Sequence, residues 1–196
     1  MKKIFSALLL STILLISSVA LAAYNETVPE DSEISSVKRL AIAFPRHYKT
    51  LDTEPTDVEL ASIMESASRV ARCYVISYDD IAANLKKDTG VDINELNYNE
   101  AQKVFESNVG KYADAFVIVT TATNGKRVQY FFDVYKPDET AVYSLTTQNR
   151  DASRDLKGYT KACEEFYKKF DAAAEVKLKS DEKKAKEADK QARKNK

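Results

Sequence analysis

The sequence predicts a single domain of the α/β (α+β) class, in which helices pack on a mixed sheet of about five strands. Three observations predict this class. An apolar run, an amphipathic helix and a second apolar run follow one another between Val37 and Tyr78, which is typical of a βαβ unit. Residues 113–147 then alternate apolar runs with turn signals, as in an antiparallel β-meander. A long amphipathic helix from Tyr159 to about Leu178 follows it.

Residues 1–22 have the layout of a secretory signal peptide. Two lysines precede the apolar stretch Ile4–Ile16, and small residues follow at Ala20 and Ala22. This pattern predicts cleavage between Ala22 and Ala23 and a periplasmic or secreted mature chain. A membrane anchor is the weaker alternative, because the apolar core is shorter than the roughly 20 residues that span a bilayer. No cysteine stands at the cleavage point, which disfavours a lipid anchor, and no later run is long enough to span a membrane.

Residues 23–36 are polar and acidic, and we interpret them as a linker into the domain of residues 37–178. Leu40, Ile42 and Phe44 alternate with alanines, which predicts a strand buried on both faces. A polar loop, residues 46–55, comes next. Thr56 and Glu59 have the spacing of a capping box at the start of the first helix.

The first helix should bury one apolar stripe, formed by Val58, Leu60, Ile63, Met64, Ala67, Val70 and Ala71. A second core strand is expected at residues 73–78, parallel to the first. Asp79 or Asp80 is expected to cap a short helix that ends near Gly90. Asn99 is expected to cap another helix, over residues 100–109.

The meander has three predicted strands. The first, Ala115–Thr121, is continuously apolar and is therefore placed centrally in the sheet. Asn124-Gly125 is a strong hairpin-turn signal, and strand Arg127–Tyr135 follows it. Its inward face should carry Val128, Tyr130, Phe132 and Val134. The last strand, Ala141–Thr147, with Tyr143 and Leu145 inward, is predicted to be a sheet edge where a partner could add a strand.

Residues 179–196 are a charged, lysine-rich tail. From Lys177 to the end there are nine Lys or Arg against four Asp or Glu, whereas residues 23–176 carry 19 against 26. The chain therefore joins an acidic body to a basic tail. The tail could contact anionic polymers or lipid headgroups, but its interspersed charges favour a solvated extension of the last helix.

Two cysteines, Cys73 and Cys163, occur in the exported chain. An even number of cysteines outside the cytoplasm predicts a disulfide that pins the last helix to the sheet. Two separate buried thiols are the alternative.

The residues that could carry chemistry are few. His47 follows the first strand, at the carboxyl end where α/β sheets place ligands, and could act as a base or bind an anion with Arg46 and Lys49. An exposed loop histidine is the simpler interpretation. Asp79 and Asp80 could serve acid–base chemistry or a divalent cation, although helix capping explains them more simply. Four tyrosines outside the predicted core are possible contact residues: Tyr24, Tyr48, Tyr98 and Tyr112.

The order of elements resembles a small α/β module of bacterial envelope proteins. Ala113-Asp114 precedes the central strand, and Phe132-Asp133-Val134-Tyr135 lies in the strand pair that follows. In this respect residues 37–178 resemble the amino-terminal domain of the Tol–Pal translocation protein TolB and the curli secretion channel (CsgG-like) family. The resemblance implies a fold, an envelope location and a non-catalytic role, and it carries over no functional residues.

These observations lead us to expect a non-enzymatic binding or scaffolding module of the cell envelope. The expected partner is an envelope protein or polymer rather than a nucleic acid. No cofactor or metal is predicted, because the sequence has no phosphate-binding glycine loop and no metal-ligand spacing. The alternatives are a small secreted hydrolase that uses His47 with Asp79 or Asp80, and a binder of peptidoglycan or anionic lipid through the basic tail.

Overall fold

The computed structural model describes residues 24–124, 127–149 and 155–194, which form seven strands and four α-helices. The strands are β1 (Tyr24–Thr27), β2 (Arg39–Ile42), β3 (Arg46–Tyr48), β4 (Tyr74–Ile76), β5 (Ala115–Asn124), β6 (Arg127–Tyr135) and β7 (Ala141–Asn149). The helices are α1 (Asp57–Ala67), α2 (Tyr78–Thr89), α3 (Tyr98–Asn108) and α4 (Leu156–Lys194). The predicted α/β class and the single domain are confirmed.

All seven strands belong to one sheet, in the order β1-β7-β6-β5-β2-β4, with β3 also paired to β5. β2 is parallel to β4 and to β5, whereas β5, β6 and β7 form the predicted antiparallel meander. β3 continues the line of β2 along β5, after a break at residues 43–45. The two strands beyond the predicted five are β1 and β3, which are short and polar and lie in segments interpreted as linker and loop.

The predicted position of the sheet edge is wrong. β7 is paired on both sides, because β1 runs antiparallel to it from Tyr24 opposite Thr147 to Thr27 opposite Ser144. Glu26 secures β1, since it accepts a hydrogen bond from the hydroxyl of Tyr143 at 3.1 Å. Among the described strands β1 and β4 end the strand order and β3 pairs on one side only, with β5, whereas β7 is already covered by β1 over residues 144–147.

Helices cover both faces of the sheet. On one face, α1 and α4 pack over Leu40 and Ile42 of β2. On the other face, α2 and α3 pack over Ala41 and Ala43, where small side chains let the helices approach. The predicted inward residues of β6 (Val128, Tyr130, Phe132 and Val134) are all fully buried against α1 and α4. The predicted turn partner Gly125 lies outside the described residues, and Asn124 pairs with Arg127 across the connection.

Three helix starts show which local predictions hold. The capping box of α1 is confirmed, because Thr56 Oγ1 accepts from the Glu59 amide and Glu59 Oε2 accepts from the Thr56 amide. The caps predicted for the next two helices are wrong. Ser77 caps α2, with Asp79 and Asp80 in its first turn, and Asn97 caps α3. The neighbouring carboxylates still favour the helix start, through its dipole rather than as caps.

The predicted disulfide is not formed, and Cys73 and Cys163 are both free thiols. Cys163 lies on the core-facing side of α4 and is completely buried, whereas Cys73 precedes β4 and packs only partly against the same core. Burial raises the pKa of the Cys73 thiol to about 11 and also raises the pKa of Cys163. Both groups are therefore held as protonated thiols, which are poor partners for oxidation.

The last helix extends well past its predicted end at Leu178, to Lys194. Within it, Lys177 pairs with Asp181 at 2.9 Å and Lys179 with Glu175 at 2.6 Å. Such ion pairs between residues four positions apart stabilise a solvent-exposed helix that has no core to pack against. No helix in the described part of the chain is long and apolar enough to cross a membrane. The predicted signal peptide, with its cleavage site at Ala22 and Ala23, lies outside the described residues.

Candidate binding groove

A groove with a volume of about 430 Å³ opens at the carboxyl ends of β2 and β4. This is the edge of a parallel sheet where α/β folds place ligands. One wall is α1, and the opposite wall is the first turns of α2 and α3 with the loop between these two helices. Phe44, the second residue after β2, also lines it.

The α1 wall consists of Val58, Ala61, Ser62 and Glu65. Their spacing of three and four residues places them on one face of the helix. This face is opposite to the stripe of Leu60, Ile63, Met64 and Ala67, which the core buries. The prediction that Val58 belongs to the buried stripe is therefore wrong, and 63% of this residue is exposed.

Three aromatic residues also line the groove. Phe44 lies 5.0 Å from Tyr78 and 6.4 Å from Tyr98 between ring centroids, tilted in both cases. Tyr78 also stacks on Phe105 of α3, with a centroid separation of 6.1 Å. Burial, followed by the neighbouring Asp79, raises the pKa of Tyr78 to about 12, so its hydroxyl stays neutral. Tyr78 is buried in the core between the sheet and helices α2 and α3, with 6% of the residue exposed, and Phe44 packs against it. The accessible aromatic surface of the groove therefore comes from Phe44 and Tyr98, which are partly exposed.

Arg46 of β3 is stacked next to the groove. Its guanidinium carbon lies 3.8 Å from the centroid of the Tyr98 ring, and Nη1 donates to the Tyr48 hydroxyl at 3.1 Å. The hydrogen bond to Tyr48 raises the pKa of Arg46. Burial raises the pKa of Tyr98, an effect that the charge of Arg46 partly offsets. The pair is therefore a cation on a neutral ring, a favourable contact.

The two charged side chains that line the groove are both acidic, Glu65 on α1 and Asp79 on α2. Both residues are exposed. The first turn of α2 also carries Asp80, next to the Ser77 cap. The groove is therefore aromatic within and negative at its rim.

His47 is not an exposed loop residue, as the simpler interpretation held, because it lies on β3 opposite Thr121 of β5. Only 1% of its side chain is exposed. Nδ1 is hydrogen-bonded to the Thr121 hydroxyl, and Nε2 lies 3.3 Å from Glu54 Oε2 and 3.3 Å from the Tyr159 hydroxyl. Both ring nitrogens are thus engaged inside the fold.

Glu54 is as deeply buried as His47 and fastens the loop after β3 to the sheet. Its Oε2 accepts from the Thr123 hydroxyl of β5 at 2.7 Å and from the Thr50 amide at 3.1 Å. Because α4 supplies Tyr159 to His47, the cluster joins the loop, the sheet and the last helix. We call His47, Glu54, Thr121, Thr123 and Tyr159 the buried polar cluster.

The residues that the sequence offered for catalysis or ligand binding do not come together in one site. Arg46 and His47 are neighbours on a strand and point to opposite faces, so with the exposed Lys49 they form no anion site. Asp79 and Asp80 begin a helix on the face of the sheet opposite the buried polar cluster. In the described part of the chain the carboxylates at His47 are Glu54 and Asp57, and Asp57 accepts from the His47 amide at 2.6 Å.

Of the four predicted contact tyrosines, Tyr98 lines the groove and Tyr48 holds Arg46 next to it. Tyr112 donates to Asp88 at 2.6 Å, away from the groove, and nothing is described for the side chain of Tyr24. Sequence reasoning missed Phe44, Tyr78 and the outer face of α1. The available signal was Val58, an apolar residue out of phase with the buried stripe.

The described residues contain no group of three or more histidine, cysteine, aspartate or glutamate side chains that could hold a metal ion. The groove walls offer aromatic rings, two carboxylates and short polar side chains. This arrangement suits the recognition of a side chain or a peptide segment.

No protein-family model matches the chain, and no curated protein matches it in sequence. Solved structures similar to it include the lipoprotein GNA1162 from Neisseria meningitidis, with 13% identity and a TM-score of 0.41 over 60% of this chain and 84% of that chain. PelC from Paraburkholderia phytofirmans, described as a dodecamer, has 11% identity and a TM-score of 0.44, and the match covers 76% of this chain and 96% of that chain. The LpoB C-terminal domain from Escherichia coli has 10% identity and a TM-score of 0.43 over 58% and 83%.

At these identities and TM-scores the likeness concerns the general fold and says nothing about partner or activity. The resemblance to TolB and to the curli secretion channel family stays a prediction.

Proposed function

We propose that the mature chain is a non-catalytic binding module of the bacterial cell envelope, which holds a segment of a partner protein in the groove between α1 and α2. The observation that carries the proposal is the groove itself, an aromatic-walled depression at the ligand-binding edge of the sheet. The signal-peptide pattern of residues 1–22 supports the envelope location.

The position of His47 supports binding rather than hydrolysis. A general base must reach the proton that it removes from substrate or water. The imidazole of His47 is buried, and both of its nitrogens contact protein groups. Its predicted carboxylate partners lie elsewhere, so the hydrolase interpretation loses its main residues.

Site-specific photocrosslinking tests the proposal in cells that export the protein. A photoreactive amino acid replaces Val58, which stands in the groove wall. The control position is Val176, an exposed valine of α4. It follows Glu175, whose carboxylate pairs with Arg72 just before β4, at the edge of the sheet opposite the groove. We expect a discrete adduct with an envelope protein from position 58 and none from position 176. Identical adducts at both positions, or no adduct at position 58, would contradict the proposal.

A further inference from the structure

We propose that the partner segment seated in the groove carries a lysine or arginine, whose cation lies against the partly exposed rings of Phe44 and Tyr98. This inference rests on the proposed function and adds the chemistry of the occupant. The aromatic rings, the charges around them and the stacking of Arg46 on Tyr98 support it.

Aromatic rings in the groove can attract a cation. Three aromatic side chains line one cavity of about 430 Å³, with Phe44 between Tyr78 and Tyr98. The faces of aromatic rings are the negative ends of their quadrupoles, so they attract a cation placed over them. Phe44 and Tyr98 are partly exposed and can meet a side chain in the groove, whereas Tyr78 is only 6% exposed and packs against Phe44.

The charged side chains at the rim of the groove are acidic. Glu65 and Asp79 stand on opposite walls, and no lysine or arginine is among the residues that line the groove. Neither carboxylate takes part in an ion pair in the described part of the chain, so both are available to a partner. Charge complementarity thus points to a basic segment.

Arg46 already makes a cation–ring contact of this kind within the chain. Its guanidinium stacks on Tyr98 at 3.8 Å, so one ring of the groove already accepts a cation. Arg46 does not line the groove. Its charge lies near Asp57, whose carboxylate offsets its repulsion of a second cation.

An anionic occupant fits the groove less well. The start of α2 would favour an anion through its unpaired amides and its dipole. However, Ser77 Oγ already accepts a hydrogen bond from the Asp80 amide, and the first turn carries the carboxylates of Asp79 and Asp80. These groups satisfy and offset the positive end of the helix, which leaves the rim negative.

Peptide binding measured by fluorescence anisotropy tests the inference on the whole mature chain. The probe is a short labelled glycine–serine peptide with adjacent lysines, compared with versions in which norleucine, trimethyl-lysine or glutamate replaces lysine. We expect lysine and trimethyl-lysine peptides to bind and the norleucine peptide to bind about tenfold more weakly. Equal binding of lysine and norleucine, or preferred binding of glutamate, overturns the inference.

Matched variants separate the groove from general electrostatics. Glu65→Gln with Asp79→Asn should weaken the lysine peptide about tenfold. Glu182→Gln with Asp189→Asn changes the net charge equally on the exposed end of α4 and should leave binding unchanged. Tyr98→Leu removes one ring and should weaken the trimethyl-lysine peptide more than the norleucine peptide. Equal weakening by the two double variants overturns the inference.

Three further outcomes of these experiments distinguish the inference from the proposed function. If position 58 crosslinks to a partner while the peptides show no preference for charge, the inference fails and the proposed function stands. If neither experiment gives a specific product, both fail. A concentration-dependent dimer that disappears both in the groove variant and on removal of residues 179–196 would assign the occupant to a second copy of this chain, and would overturn its assignment to another protein.

Discussion

The single histidine, His47, has a structural environment that its neighbours in the sequence do not indicate. His47 follows an apolar strand and precedes charged residues, so its sequence surroundings indicate an exposed loop or a ligand site. Its true neighbours, Thr121, Glu54 and Tyr159, come from three separate segments. A buried imidazole is stable only when its nitrogens are hydrogen-bonded. The buried polar cluster is therefore better understood as a fastening of the fold than as a site of chemistry.

Glu54→Ala tests that role. The change removes the acceptor of Thr123 and Thr50 and leaves His47 without its carboxylate. Because removing one member of a buried polar network leaves the others unsatisfied, we expect the free energy of unfolding to fall by about 2 to 4 kcal/mol. Urea denaturation measures this change in the free energy of unfolding. Asp52→Ala, at an exposed carboxylate of the same loop, should have almost no effect. A Glu54→Ala variant as stable as that control would show that the cluster is not a fastening.

At the scale of the elements, Asp114 joins the two central parallel strands. Its Oδ2 accepts from the backbone amides of Lys38 and Arg39, and its Oδ1 accepts from the Arg39 guanidinium at 3.1 Å. Asp114 thus ties the start of β5 to the start of β2. The residue belongs to the Ala-Asp pattern on which the family resemblance was based, and the structure gives it a role in holding the sheet.

Asp114→Asn should therefore destabilise the fold in a pH-dependent way. Partial burial raises the pKa of Asp114, but the hydrogen bonds from Arg39 and Lys38 outweigh burial and lower it overall. A carboxylate with a lowered folded-state pKa contributes stability above its unfolded pKa of about 4, and loses it as the pH falls through the folded value. We expect a loss of about 1 to 2 kcal/mol at pH 7, reduced by solvent screening.

Urea unfolding at a series of pH values measures the difference between wild type and Asp114→Asn. The difference should be constant near neutrality and should shrink below about pH 4 as the wild-type carboxylate becomes protonated. Asp52→Asn, at an exposed carboxylate in the loop after β3, is the control, and its difference from wild type should stay near zero. A difference for Asp114→Asn that does not change with pH would mean that its hydrogen bonds are not the source.

The success of the element predictions followed the strength of the local signal. β5 and β6 are long and strongly apolar or alternating. β6 has its predicted bounds and inward face, and β5 begins at its predicted start but extends to Asn124 rather than Thr121. β1 and β3 are three or four polar residues long, and they are strands only because β7 and β5 offer paired backbone groups. The caps at Ser77 and Asn97 were missed because other capping residues stand within three positions of each. Competition among adjacent good caps is settled by packing, which local sequence does not contain.

The groove depends on the whole molecule. Phe44, Val58, Tyr78 and Tyr98 are separated in sequence and meet only because β2 and β4 end at the same edge of the sheet. The sequence predicted that edge as the place for ligands, through the strand order and the position of His47. It could not predict which side chains line the edge, because His47 turns to one face of the sheet and Phe44 and Tyr78 pack with the core of the other. A single residue of offset along the strand decides the face.

The acidic body and the basic tail meet in one continuous helix. α4 fills the core with Phe166, Tyr167 and Phe170, and its partly buried contacts with that core end at Ala173 and Ala174. Beyond them the helix turns largely solvent-exposed, and Val176 and Leu178 are exposed apolar residues. The same helix therefore acts first as a core element and then as a solvated extension.

Two truncations test this division. Removal of residues 179–196 should change the free energy of unfolding by less than about 1 kcal/mol, because the deleted segment contacts little of the core. Removal of residues 166–196 deletes three of the largest buried aromatic side chains and should abolish cooperative unfolding. Circular dichroism during urea denaturation measures both. A large loss of stability from the shorter deletion would show that the tail packs on the body.

The shorter deletion also decides whether the tail retains the protein in the envelope. An electrostatic anchor loses strength as salt screens its charges, and each lysine near an anionic surface contributes about 1 kcal/mol at most. Because the tail interleaves acids with its lysines and pairs some of them within α4, we expect envelope retention and its salt dependence to be the same with and without residues 179–196. Release of the truncated protein at a salt concentration that retains the full chain would instead assign binding to the tail. Retention that survives the truncation but is lost with Glu65→Gln and Asp79→Asn would place it in the groove.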